Sequence, residues 1–263
     1  MLKKYKDFVN ENLNEDQSKF SKYNPLIDYT SLTEQETEQD IISLCEKAKI
    51  LGTKSVCVYP KWVKTAAECL SDSPVLVCTV ISFPKGTDKT SAKVAEAKKA
   101  IQEGADEIDM VLDWRLLKTL SDIDDEEAFE VLEELKEDVE SVAEECHKHT
   151  DKNGQQVILK VIVESGELTL DETELATKIC IDSGADYIKT STGKVAIGAE
   201  LDKVKMMYDT IKAEGEDLKI KASGGVRTLD DMNTFAPYVD RFGMGYGSVD
   251  SINGLDADVQ AIY

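Results

Sequence analysis

The chain has 263 residues, 41% of them hydrophobic, enough apolar surface for one large core and too much for a disordered polypeptide. Fifty-two acidic against 31 basic residues leave a formal net charge of −21, which repels nucleic-acid phosphates and anionic lipid, so neither is an expected partner. No stretch approaches the roughly 18 apolar residues of a membrane span, and the N-terminal MLKKYKDFVNENLNEDQSKF lacks the apolar run of a secretory signal. Six cysteines without a C-x-x-C pair read as buried free thiols in a reducing compartment, and the cytoplasm is the expected location.

Residues 1–24 read as an extra amphipathic helix ahead of a single domain over 25–263. From there, β-rich apolar runs alternate with helical patterns, the order of βα units on a parallel sheet. Eight strands are predicted: LIDYT (26–30), SVCVYP (55–60), VLVCTVISFP (75–84), EIDMVL (107–112), VILKVIVE (157–164), YIKTS (187–191), KIKASGG (219–225) and RFGMG (241–245). Eight such units in a chain near the ~250 residues typical of the fold predict an α/β (β/α)8 TIM barrel. Thr33 with Glu36 and Thr169 with Glu172 fit capping boxes at helix starts. Gly52, Gly104, Gly184 and Gly215 stand where helices end. A faint repeat, GADEID (104–109) and GADYIK (184–189), puts Asp109 and Lys189 at one position in two βα units; Gly52 to Cys57 has the same spacing. Inward side chains of alternate barrel strands form one layer, so Cys57, Asp109 and Lys189 are expected to share one.

Strands buried on both faces are normally apolar. Here Asp28, Asp109, Lys160, Lys189 and Lys221 each interrupt one. A single strand-end lysine can snorkel to solvent, but five such charges converge on the C-terminal mouth, where barrels carry their active sites. An amine attacks a carbonyl only when neutral, and a neighbouring ammonium disfavours its charged form. Lys189 and Lys221 lie on adjacent strands. The expected chemistry is therefore a Schiff base on Lys189, tuned by Lys221, with Asp109 moving protons and Lys160 and Asp28 as charge partners. The protonated imine is its own electron sink, so no cofactor or metal is expected; His147 and His149 lie in a polar helix tail and read as surface. The runs S-T-G-K (191–194), S-G-G-V-R (223–227) and G-M-G-Y-G-S (243–248) follow strands 6, 7 and 8, where barrels bind phosphate through backbone amides; Arg227 stands beside them.

The stretches LIDYTSL, VCVYP, ISFPKG, GADEIDMV, LKVIVESGEL, GADYIKTSTGK, KASGGVRT and RFG together resemble the deoxyribose-phosphate aldolases over nearly the whole chain. That resemblance implies reversible cleavage of 2-deoxy-D-ribose 5-phosphate to acetaldehyde and glyceraldehyde 3-phosphate, with a small phosphorylated sugar as partner and a homodimer left open. By position it implies Lys189 as the Schiff-base lysine, Lys221 as the lysine that tunes it and Asp109 as the proton relay. Gly193, Lys194, Gly224, Gly225 and Gly243 match phosphate-side positions, and Tyr263 matches a terminal tyrosine that swings into the site. One departure stands out: after R-F-G the family usually has a small residue and two serines, whereas this chain has Met244-Gly245-Tyr246, with Ser248 further on. The alternative reading is another Schiff-base aldolase acting on a different phosphorylated aldehyde or ketose.

Overall fold

All eight apolar runs form strands, and each pairs in parallel with its sequence neighbours. In the computed structural model, which describes residues 22–255, the strands are β1 (Ile27–Ser31), β2 (Ser55–Val58), β3 (Leu76–Ile81), β4 (Glu107–Val111), β5 (Ile158–Ile162), β6 (Tyr187–Lys189), β7 (Lys219–Ser223) and β8 (Arg241–Gly245). They close in sequence order, β1 pairing with both β2 and β8. The helices that cover them are α1 (Glu38–Leu51), α2 (Val63–Cys69), α3 (Thr90–Gln102), α4 (Trp114–Lys118), α5 (Asp125–His147), α6 (Leu170–Asp182), α7 (Leu201–Glu214), α8 (Leu229–Phe235) and α9 (Tyr246–Ile252). The helix expected over 1–24 lies outside the described residues but for its last three, of which Asn24 opens a 3-10 turn (Asn24–Leu26).

Several strands stop earlier than the apolar runs suggest, for local backbone reasons. Pro60 starts a 3-10 turn after β2, and Ser82, Glu164 and Gly224 take positive φ just past β3, β5 and β7, which ends an extended ladder. The predicted cap at Thr33 is corrected. Helix α1 starts later, with a capping box of Thr37 and Asp40, whereas Glu36 accepts the Thr33 N–H at 3.1 Å and the Ser31 hydroxyl, closing the turn that leaves β1. Both threonines head a T-x-x-E/D pattern, and only the second sits where the chain turns into a helix. The Thr169–Glu172 box opens α6 as expected, and Gly52 and Gly215 are left-handed C-caps.

The barrel is apolar outside and charged inside. Alternation along each strand sends Val56, Ile108, Met110, Leu159, Val161, Ile188, Ile220 and Phe242 outward under the helices, all of them buried. Twelve of the intervening positions form three interior tiers of four from alternate strands, with Val80, Ile162 and Ser223 above them. Nearest the strand N-termini lie Ser55, Glu107, Tyr187 and Arg241; next come Asp28, Cys78, Lys160 and Lys221; nearest the mouth lie Cys57, Asp109, Lys189 and Gly243. The expected layer of Cys57, Asp109 and Lys189 is thus completed by Gly243, where a Cβ would stand 3.0 Å from Lys221 Cε. None of these three lysines snorkels: Lys160 and Lys221 are 0% exposed and Lys189 is 4% exposed.

The lowest tier ties the interior together. Arg241 Nη1 donates to Asp28 at 2.6 Å and to Glu107 at 3.2 Å, and the Ser55 hydroxyl donates to Asp28 at 2.8 Å. Removing one member of a buried ion cluster strands the others without compensation. Arg241→Leu is therefore expected to lower unfolding free energy by about 3–5 kcal/mol, read as a fall in the urea midpoint at neutral pH. An unchanged midpoint would mean the cluster adds nothing to the fold.

Candidate active site

Asp109 is the hub. Its side chain leaves β4 toward the mouth, and three ammonium groups from three consecutive strands converge on it. Lys160 on β5 donates to Oδ1 at 3.0 Å; Lys189 on β6 and Lys221 on β7 both donate to Oδ2 at 2.7 Å. Two amines on one oxygen stand no farther apart than twice that bond length. Lys160 also donates to Glu107 at 2.7 Å, and Lys221 approaches Asp28 at 2.5 Å.

The electrostatics follow from this geometry. Burial pushes the Asp109 carboxyl up, but Lys160, Lys189 and Lys221 outweigh it and hold the group well below the ordinary carboxylate range. Burial likewise opposes ionisation of Asp28, and Arg241, Lys221 and Lys160 overcome it. Burial drives Lys221 toward neutrality, while Asp109 and Asp28 prevail and keep it a cation; Lys160 is held charged in the same way, chiefly by Asp109. The interior thus holds four cationic side chains, Lys160, Lys189, Lys221 and Arg241, against three carboxylates, Asp28, Glu107 and Asp109. Among the described residues Lys189 is ion-paired only to Asp109, whereas each of the other cations touches at least two carboxylates. Neutralising one amine would balance the cluster, and Lys189 sacrifices the fewest ion pairs.

Two thiols complete the wall. Cys57 and Cys78 are in register on β2 and β3; their hydrogen bond favours the Cys57 thiolate, while burial pushes the Cys78 thiol far up. Cys57, Cys78 and Asp109 place ligand atoms within 4.8 Å of one another, as do Asp28, Cys78 and Glu107. A metal at either cluster would compete with ammonium or guanidinium groups already bound to the carboxylates. His147 and His149 lie far down the chain on α5 and its end, bonded to Asp186 and Glu145.

The other expected residues line the rim. Gly193 and Lys194 sit in the loop after β6, both exposed, with Lys194 Nζ resting on the Leu32 carbonyl at 2.7 Å. Gly224 and Gly225 follow β7 with φ of 74° and 84°. Gly198 lies so close to this turn that a Cβ there would come within 2.1 Å of the Gly224 oxygen, and Ala199 N–H donates to that oxygen at 2.8 Å. Arg227 is exposed, its backbone N–H held by Asp231, and Gly243 belongs to the β8 ladder, half-buried. Tyr263 lies outside the described residues. Sequence reasoning missed Glu107, Arg241, Cys78 and Tyr187. The signal was present: Glu107, Tyr187 and Arg241 each stand two residues before Asp109, Lys189 and Gly243, and so on the same strand face.

A closed parallel barrel with paired buried amines and a shared carboxylate at its C-terminal mouth defines the class, a barrel aldolase equipped for lysine chemistry. The chain belongs to the DeoC/LacD family of aldolases, whose profile matches residues 24–247. Deoxyribose-phosphate aldolase 1 of Staphylococcus aureus (strain MRSA252) is 43% identical over 241 residues, covering 91% of this chain and 98% of its own. The deoxyribose-phosphate aldolase of Clostridium botulinum (strain Langeland) is 43% identical over 214 residues, covering 81% of this chain and 90% of its own. The fold is shared with the tetrameric deoxyribose phosphate aldolase of Aeropyrum pernix, at a TM-score of 0.75 and 23% identity over 95% of this chain and 96% of that one.

Lys221 is paired with both Asp28 and Asp109, which sets an expectation for its removal. Lys221→Leu removes the fixed positive charge beside Lys189 and hands Asp109 more fully to it, so the ammonium form of Lys189 gains. Activity near neutral pH is expected to fall by at least about tenfold and to recover in part as pH rises into the alkaline range. A near wild-type rate with a flat alkaline profile would remove the electrostatic role.

Proposed function

We propose that this protein reversibly cleaves 2-deoxy-D-ribose 5-phosphate to acetaldehyde and glyceraldehyde 3-phosphate through an imine on Lys189, without a cofactor. The observation that carries this reading is the shared Asp109 oxygen: it holds Lys189 at the mouth of the barrel beside a second lysine that stays charged. Neutral Lys189 adds to the C1 aldehyde of the open-chain sugar, and loss of water gives the iminium. A base takes the C3 hydroxyl proton, the C2–C3 bond breaks, and its electrons enter the iminium to give an enamine. Protonation of C2 and hydrolysis release acetaldehyde and free Lys189. Asp109 is the group placed to relay these protons: it contacts the amine directly, and once the imine forms, one ammonium has left its Oδ2.

The phosphate end of the substrate is assigned to the rim, where Gly193, Lys194, Gly224, Gly225 and Arg227 crowd the loops after β6 and β7, with Gly243 within β8 beside Lys221. Among the described residues no helix is long and apolar enough to cross a membrane, and the six cysteines are free thiols. A cytoplasmic location, with a small phosphorylated sugar as partner in place of nucleic acid or membrane, belongs to the same proposal; the free thiols and the net charge of −21 support it. A homodimer is carried with this reading from the family resemblance.

Reduction with borohydride in the presence of acetaldehyde is the test. It is expected to leave an ethyl group on Lys189, found by peptide mapping, and Lys189→Met should abolish both labelling and turnover. A label confined to Lys160 or Lys221 would falsify the assignment.

At the end of β8 the rim departs from the pattern that the family resemblance implies. Met244 is buried under the helices, and Gly245 is exposed with open space where a Cβ would go. Tyr246 packs against the main core, so it is a poor site to probe. Gly245→Ser adds one hydroxyl without a clash. If such a hydroxyl reaches the phosphate, the ratio of kcat/KM for the phosphorylated over the plain sugar should rise by about 2- to 12-fold, the worth of one hydrogen bond. An unchanged ratio would place the phosphate grip elsewhere, on main-chain amides or Ser248.

A further inference from the structure

Glu164 is a buried carboxylate that the reaction scheme does not use. It stands two residues past the end of β5, is 1% exposed, and holds φ 52° and ψ 51°, the left-handed region that disfavours a side chain of this size. Glycine takes that conformation without strain. What glutamate offers in its place is a carboxylate, and both of its oxygens are occupied by one residue. Thr192 donates its backbone N–H to Oε1 at 3.1 Å and its hydroxyl to Oε2 at 2.6 Å. Burial pushes the Glu164 carboxyl up, and these two bonds oppose the push.

Thr192 stands three residues after Lys189 and immediately before Gly193 and Lys194. With its hydroxyl proton committed to Glu164, its oxygen is left to accept, and it takes the Lys194 N–H at 3.0 Å. The turn around Glu164 braces the same loop at two more points. Ser165 N–H donates to the Thr190 carbonyl at 2.7 Å, and Gly166 approaches Ile197 so closely that a Cβ would meet its oxygen at 2.5 Å. A strained turn after β5 is therefore the mould for the loop after β6.

We infer that Glu164 is a positioning residue for the phosphate end of the substrate: its carboxylate clamps Thr192 and so fixes Gly193 and Lys194 at the rim. This rests on the function proposed above. The clamp itself can be read without turnover.

The test uses Glu164→Gln and Glu164→Gly in the full-length protein. Glutamine keeps the shape but cannot accept both Thr192 donors with equal strength. Glycine relieves the backbone and removes the carboxylate, so it separates the clamp from the conformation. Hydrogen exchange of the ligand-free proteins is expected to quicken across residues 192–198 in both variants, while amides of β4 and β7 keep wild-type protection. In steady state the KM for 2-deoxyribose 5-phosphate is expected to rise by about tenfold or more, the usual weight of hydrogen bonds to a charged group. The loss of kcat/KM should be larger for that ester than for plain 2-deoxyribose. Wild-type exchange of this loop in Glu164→Gly, or equal losses on both sugars, would overturn the inference. A wild-type enzyme inert toward the ester overturns the proposed substrate instead, and the exchange measurement still decides the clamp.

Discussion

One carboxylate holding three ammonium groups inside a barrel is the constraint on which this structure depends. Asp109 cannot be placed there alone, because an unpaired buried charge costs several kcal/mol. Nor can Lys160, Lys189 and Lys221 be gathered without it, since their mutual repulsion would have no counterweight. Glu107, Asp28 and Arg241 extend the pairing toward the closed end, so nearly every charge touches two opposite ones. Lys189, tied among the described residues only to Asp109, is the exception and is also the least buried of the three lysines. The amine proposed to react is thus set apart by connectivity within the cluster, with no special residue type required.

This arrangement inverts the usual division of labour in a barrel. The outward face of the strands, under the helices, provides the apolar core. The interior, which in most barrels is packed with branched aliphatic side chains, is given to electrostatics. Burying ion clusters often stabilises less than apolar packing of the same volume, so the interior adds less to the fold than an aliphatic filling would while it organises the site. The long apolar seams between strands and helices are what make that tolerable.

Much of this was legible in the sequence because charge within an apolar strand is conspicuous. Asp28, Asp109, Lys160, Lys189 and Lys221 each stood out against Val and Ile neighbours, and glycine spacing placed Asp109 and Lys189 at equivalent points. Glu107 and Arg241 were harder to see, since they open their strands, where a polar residue passes for the end of a loop. Glu164 was hidden for the opposite reason. The run VILKVIVE reads as strand to its last residue, and nothing in composition announces that this residue takes a left-handed conformation. Likewise Thr33 and Thr37 both head capping patterns, and the choice between them is made by where the chain leaves β1. Patterns of two or four residues locate elements and faces; the points at which backbone leaves them are decided by tertiary contacts.

The contact between Gly198 and the Gly224 carbonyl has a consequence for how the rim can vary. The loops after β6 and β7 are fused there: no side chain fits between them, and a main-chain bond from Ala199 fastens the joint. Neither loop can be lengthened or re-aimed without the other, so for purposes of redesign they form one cassette carrying Gly193, Lys194, Gly224, Gly225 and Arg227. Diversity of acceptor is more readily admitted across the seam, at Gly245, the last residue of β8, where added bulk meets open space.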